Sequence, residues 1–334
     1  MKKNGFTLVE LIGVLVILGL IATFSVPALT KTMKDSSEKQ YNEYLKNITL
    51  AAENYFHSET DGTLNGKYFI KIKTLYDSGY LKKEKNPKTN EDTNENSTVM
   101  ISKNEDGTEK YELLDMDATE TGYVSDGLLV HYDGYHKPEN NVWNDLSGNG
   151  NNGALYNFDE NSLNNNSISF DGVNDYVGIG EINIPYITYE ISFANKYNNT
   201  TQKHLLSNVE AGGCSFILNS GKRIAGSCYL KDGYKNVYGF DLVDNVPNTA
   251  TLTYDGTYLK LYIDGKVVSS LENNGGIVYP SKNTILVISG NPSGETVNEQ
   301  FFNGEVYSVR IYNRALTDEE IKNNYNVDKY RFDV

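Results

Sequence analysis

The chain opens MKKNG and then runs GFTLVELIGVLVILGLIATF from Gly5 to Phe24, an apolar stretch long enough to dictate its own surroundings. Continued to Leu29, it would measure about 36 Å as a helix, sufficient to span a bilayer. Lys2 and Lys3 ahead of it favour a cytoplasmic N-terminus. Glu10 breaks the run with a carboxylate, a group that costs roughly 2.5–3.5 kcal/mol near the bilayer centre. A buried acid persists when it has an opposite charge to pair with. Pro27 removes the helical hydrogen bond to the Thr23 carbonyl, so a kink is expected there.

A secretory signal places its small-residue cleavage site after the apolar stretch. Here the glycine comes before it. KKNG followed by FTLVELIGVLVILGLIA, with Glu10 five residues past Gly5, resembles the class III signal of type IV prepilins and pseudopilins. The resemblance implies a leader of residues 1–5, cut between Gly5 and Phe6 by a prepilin peptidase, and N-methylation of Phe6. Residues 6–29 then hold the protein in the cytoplasmic membrane as a single pass until it joins other pilins in an extracellular filament at the cell surface. Glu10 would pair with the freed Phe6 amine of a neighbouring subunit and set axial register. A pair within one subunit is also open, since the two residues share a helix face. The plainer alternative is a signal-anchor helix with Glu10 at the headgroup boundary.

Beyond Pro27 the helix should continue in amphipathic form, because Tyr41, Tyr44, Leu45, Ile48, Ala52 and Tyr55 recur at three- and four-residue steps. IKIKTLYDSGYLKKEKNP (70–87) resembles the loop-and-strand region of Gram-positive pilins. Residues 82–97 read as a solvated loop, and 98–115 as a hairpin around Asp106-Gly107. Residues 30–118 are therefore expected to form a helix with a small antiparallel β head, and 119–125 a linker.

The remainder, 126–331, is written in strands and turns. NDLSGNGNNGALYN (144–157), ISFDGVNDYVGIG (168–180), TLTYDGTYLKLYIDGKVV (251–268) and FNGEVYSVRIYNRALTDEEIKNNY (302–325) resemble, in order, the laminin G-like, concanavalin A-like lectin/glucanase family. From the residues alone, Asp255-Gly256 and Asp264-Gly265 are turns in which glycine supplies a positive φ. Leu259, Leu261 and Ile263 give a strand one inward face. In VYSVRIYNRAL, Val306, Ser308 and Arg310 alternate with Tyr307, Val309 and Ile311. Thr317 with Glu320 forms a capping box. The expected class is α+β: a long pilin helix and β head, then an all-β jelly-roll sandwich of two antiparallel sheets.

In CSFILNSGKRIAGSC, pairing Asn219 with Arg223 across a three-residue loop sets Cys214 opposite Cys228, within disulfide reach. A disulfide is favoured by the extracellular location. Two buried thiols remain the alternative, because a different hairpin loop removes the alignment.

For function, a formal net charge of -14 and a pI near 4.8 argue against nucleic acid as a partner. Glucanases on this fold carry a strand of clustered carboxylates. Here the strand at 187–194 offers only Glu190, no GxSxG is present, and no catalytic residue or enzyme activity is expected. Asp145, Asp171 and Asp175 are candidate Ca²⁺ ligands in carbonyl-rich turns. Such residues more often bond their own backbone, and no cofactor is otherwise expected. Trp143, the single tryptophan, reads as a packing residue. No ligand-binding residues are assigned. The function expected is a minor type IV pilin displaying a lectin-like adhesin toward a host or matrix glycan or protein. The alternatives are a structural or capping pilin with a non-binding domain, or a pseudopilin of a type II-like secretion system.

Overall fold

The computed structural model describes residues 8–60, 62–64, 67–196, 201–209, 212–220, 222–279 and 284–334; the side chains of Glu10 and of 18–33 fall outside the described set. Two compact units divide the chain, Met1–Thr63 with Ile70–Asp115, and Leu64–Phe69 with Met116–Val334.

In the first unit, α1 (Leu8–Glu59) is a single helix of 52 residues, roughly 78 Å long at about 1.5 Å per residue. It stays helical through Pro27, so the bond lost at the Thr23 carbonyl does not end it. The amphipathic half follows the expected spacing. Tyr44, Ile48, Ala51, Ala52 and Phe56 are buried and face β1 (Tyr68–Lys71), α2 (Ile72–Asp77), β2 (Thr98–Lys103) and β3 (Glu109–Leu114) as a set, with direct packing on α2, β2 and β3. The three strands form one sheet in the order β1–β2–β3. The β2–β3 hairpin pairs Thr98 with Leu114 through Lys103 with Glu109 and closes at Asp106-Gly107, where Gly107 adopts φ +82°. The stretch 82–97 is the expected irregular and mostly exposed loop, pinned to α1 at two points. The Tyr44 hydroxyl donates to Thr93 Oγ1 at 3.0 Å, and Lys88 Nζ lies 3.6 Å over the Tyr41 ring.

The second unit contains, in chain order, β4 (Leu128–Asp133), β5 (Val142–Trp143), β6 (Gly153–Tyr156), β7 (Ile168–Asp171), β8 (Tyr176–Gly180) and β9 (Ile187–Asn195). Then come β10 (Lys203–Ser207), β11 (Cys214–Asn219), β12 (Arg223–Leu230), β13 (Gly233–Asp241), β14 (Pro247–Tyr254), β15 (Tyr258–Ile263) and β16 (Lys266–Glu272). The last are β17 (Leu286–Ile288), β18 (Asn291–Ser293), β19 (Thr296–Glu299), β20 (Asn303–Tyr312) and helix α3 (Asp318–Phe332). One sheet has eight strands, β13-β12-β11-β10-β17-β8-β6-β5. The other runs β16-β15-β14-β9-β20-β4, with β7 also paired to β20. Tyr132, Trp143, Phe193, Phe216, Leu252 and Val309 belong to the single core between them. This is the expected antiparallel jelly-roll sandwich.

Asn219 pairs with Arg223 and Cys214 with Cys228, and the two cysteines form a disulfide with Cα atoms 4.1 Å apart. The Asp255 and Asp264 turns, the inward Leu259-Leu261-Ile263 face and the Thr317/Glu320 capping box are all present. The expected alternation of β20 is shifted. A bulge between Val306 and Ser308 lets Val306, Val309 and Ile311 all join the core, while Ser308 and Arg310 face away from it.

That outward face is not solvated. α3 covers it, and nothing of β9 is exposed. Residues 119–125, expected as a linker, are bound into the same cover. The Tyr123 hydroxyl donates to Asp328 Oδ1 at 2.6 Å, and Val124 N donates to Asn324 Oδ1 at 3.0 Å.

Removing one member of a buried ion pair strands the other's charge, at a cost of about 3–5 kcal/mol. Arg310→Ala, which leaves Glu190 and Asp328 without their cation, should destabilise the second unit by that much. Urea unfolding followed through Trp143, a reporter confined to that unit's core, measures it; a shift no larger than that of the surface variant Lys222→Ala would show that the cluster holds nothing. By the same readout, the double variant Cys214→Ala/Cys228→Ala should lose about 3 kcal/mol, the loop-entropy contribution of a bridge over a short loop.

Candidate functional site

Three places concern function: the N-terminal processing segment, the turns and buried acids of the sandwich, and the outer face of its eight-stranded sheet. Gly5 and Phe6 lie outside the described residues, as does the Glu10 side chain, so the proposed cleavage, methylation and charge pairing are not described there. The adjoining turns are. Leu8, Val9, Leu11, Ile12 and Val14 to Ile17 are all exposed, Leu8 at 73% and Val9 at 78%. An apolar helix exposed all round has its cover elsewhere, in lipid or in other subunits. Among the described residues no helix is long and apolar enough to cross a membrane.

The three candidate Ca²⁺ aspartates accept backbone hydrogen bonds, Asp145 from β4 as well as from its own loop. Asp145 accepts backbone N–H bonds from His131, Ser147 and Asn151 at 2.9, 2.9 and 3.0 Å. Asp171 accepts from Val173 N at 2.7 Å, and Asp175 from Asp171 N at 3.0 Å. Burial pushes the Asp175 carboxyl up to about 6, and the Asp171 charge adds to the rise. No group of three or more metal-ligating side chains occurs among the described residues. Trp143 is wholly buried, stacked on Tyr132 at 5.1 Å, and its indole N–H donates to the Asp133 carbonyl.

Glu190, the one acid on β9, sits opposite Arg310 in the β9–β20 register. Arg310 Nε donates to Glu190 Oε1 at 2.7 Å, and its two Nη atoms form a fork onto Asp328 at 2.9 and 2.6 Å. All three side chains are fully buried. Burial opposes the Arg310 charge, but Asp328 and Glu190 outweigh it and hold the guanidinium ionised. Burial likewise raises Glu190 despite Arg310, while at Asp328 the Arg310 charge wins and the carboxyl is held down. Glu190 is thus committed to an arginine and shut from solvent. Beside this cluster, Arg331 pairs with Asp133 at 2.5 Å. Burial pushes Asp133 up, but Arg331 prevails and holds it at about 2. His131, pushed down to about 4 by burial and then by Arg310, is neutral. The sequence held a signal for this network in two mid-strand charges, Glu190 and Arg310, each flanked by apolar residues.

The outer face of the eight-stranded sheet carries side chains that no motif singled out. Tyr156 and Tyr176 are cross-strand partners whose rings stack 4.5 Å apart and nearly parallel. At the other end of the sheet, Tyr234 and Tyr238 of β13 are about half exposed, and Phe240 near the strand's end is also exposed. Tyr229 meets the Tyr234 ring edge-on at 4.7 Å, and the Arg223 guanidinium lies 5.4 Å from the Tyr238 ring centre.

Residues 1–26 match the prokaryotic N-terminal methylation motif, and residues 171–322 match the concanavalin A-like lectin/glucanases superfamily. No curated protein sequence matches the chain. Among solved structures it is similar to the binding domain of botulinum neurotoxin serotype D, at 16% identity and a TM-score of 0.46, over 61% of this chain and 52% of that one. It is similar to the binding domain of Paraclostridial Mosquitocidal Protein 1 at 16% identity and a TM-score of 0.46, over 60% and 52%. The binding domain of botulinum neurotoxin DC in complex with SialylT is similar at 12% identity and a TM-score of 0.44, over 60% and 52%. The chain thus spans about half the length of each of these structures. Its first residues carry the N-terminal methylation signal of type IV pilins, and its second unit carries a concanavalin A-like lectin/glucanase domain.

Proposed function

We propose that this protein is a minor type IV pilin whose second unit is a lectin-like adhesin displayed on the filament. The observation that carries the reading is the joining, in one chain, of the methylation signal at 1–26 to the lectin-like domain matched over 171–322. The exposed apolar turns at the start of α1 support it, since that surface has to be covered by lipid before assembly and by other pilins afterwards. About two thirds of the chain is in the second unit. Cargo of that size is hard to repeat along a closely packed shaft, which favours a minor subunit over the major one. The partners in this reading are a prepilin peptidase, other pilins through α1, and a glycan or matrix protein met by the second unit.

Glu10 supplies the assembly step. An acid buried among apolar helices is tolerated when paired, and cleavage after Gly5 creates a cation on Phe6 that a neighbouring Glu10 can meet. Gly5→Ala should leave the precursor uncut, visible by mass spectrometry as a chain that still begins with Met1. Glu10→Ala should be cut and methylated normally yet be depleted from sheared filaments relative to wild type. Glu10→Ala present in filaments at wild-type level would show that assembly does not use the charge pair.

A further inference from the structure

The outward face of β13 has a composition that its neighbours lack. Tyr234, Asn236 and Tyr238 alternate with residues turned to the other side, among them Val237, which is in the core. Behind them on β12 stand their cross-strand partners Tyr229, Ser227 and Ala225. Both tyrosine rings are braced, Tyr234 by the edge of Tyr229 and Tyr238 by the Arg223 guanidinium. Bracing lowers the entropy lost when such a ring is covered. Four residues along a strand separate the rings by about 13 Å, too far for a single hexose to bridge. The exposed Asn236 amide, a donor and an acceptor together, lies between them. Of the charges bordering the strip, Lys235 pairs with Asp232 at 2.8 Å and Lys222 with Asp241 at 3.2 Å, while Arg223 lies exposed against the Tyr238 ring and Lys231 is exposed in the turn before β13. The centre of the strip therefore offers flat apolar rings and an amide, with charged groups only at its margins.

We propose that the outer face of β13 is the glycan-binding platform of this protein, taking an uncharged oligosaccharide chain whose sugar rings stack on Tyr234 and Tyr238 while a hydroxyl between them bonds Asn236. Sugars present an apolar C–H face and a hydroxylated edge, and an aromatic–amide–aromatic strip matches both. An acidic glycan would meet a chain that is itself strongly acidic, with a formal net charge of -14. The proposal deepens the adhesin reading and rests on it.

The test uses the full-length chain in detergent micelles on an array of neutral gluco-, galacto- and N-acetylglucosamine oligosaccharides beside sialylated and sulfated ones. Trp143 emission serves as the check that each variant is folded. Wild type should bind neutral oligosaccharides of two or more sugars. Tyr234→Ala and Tyr238→Ala should each weaken binding by about tenfold or more. Tyr238→Phe, which keeps the ring, and Tyr258→Ala, an exposed tyrosine of the other sheet, should stay within about twofold of wild type. Glycan binding that survives the double variant Tyr234→Ala/Tyr238→Ala would overturn the platform and leave the adhesin reading standing. Binding of acidic glycans only would overturn the neutral class. Failure of the wild-type chain to bind any glycan would remove both the platform and the lectin-like reading.

Discussion

The fully buried guanidinium of Arg310 is the constraint around which the second unit is arranged. An ionised arginine shut away from water is tolerable when its donors are matched by acceptors and its charge by carboxylates. Arg310 has both: Glu190 across the strand pair and Asp328 from α3. The remaining acceptor capacity is used as well. Tyr123, Ser192 and Ser308 donate to Asp328, while Asn324 and Thr251 donate to Glu190. Each donor comes from a different place in the chain, so satisfying one side chain fixes β9, β14, β20, α3 and the segment entering the domain relative to one another. A network satisfied in this way gives specificity of arrangement more than net stability.

The two outer faces of the sandwich acquire different roles from this arrangement. Around Glu190 and Arg310 the face is closed by α3, so the polar residues of that cluster are internal. On the opposite outer face, no described helix of the second unit lies over β13, and its exposed side chains there include aromatic rings and an amide. Among the described residues, the apolar side chains at the start of α1 are exposed. The start of α1 thus leaves apolar surface for other molecules to bury, while the second unit buries its own charges and leaves rings partly exposed. Both conditions fit the proposed reading of a filament subunit that carries a binding domain.

Much of this was legible because it is local. The β11–β12 register followed from one loop length, the Asp-Gly turns from the need for positive φ, the final helix from Thr317 and Glu320, and the buried stripe of α1 from its three- and four-residue spacing. What escaped was set by distant partners. ITYEISFA alternates in a way that predicts one wet face, and only the presence of α3, about 130 residues later, makes that face dry. Tyr123 reads as linker because nothing in its neighbourhood reveals Asp328. The bulge in β20 moves Val309 and Ile311 onto the same face as Val306, which a strict two-residue period cannot register. The platform residues were missed for a different reason, since a polar strand with alternating tyrosines looks the same whether its rings are packed or exposed.

The position of the disulfide bears on that platform. β13 ends its sheet and hydrogen-bonds only to β12 within it, from Leu230 with Gly233 to Arg223 with Asp241. An end strand is held by one ladder instead of two, and load applied to it passes first into its single neighbour. That neighbour is the strand joined to β11 through Cys214 and Cys228, and Cys228 is itself the cross-strand partner of Lys235, between Tyr234 and Asn236. The covalent link therefore lies directly behind the exposed rings. If the proposed platform holds a ligand, tension on it crosses the β12–β13 ladder and then meets the bonded β11–β12 pair before it reaches the rest of the sheet.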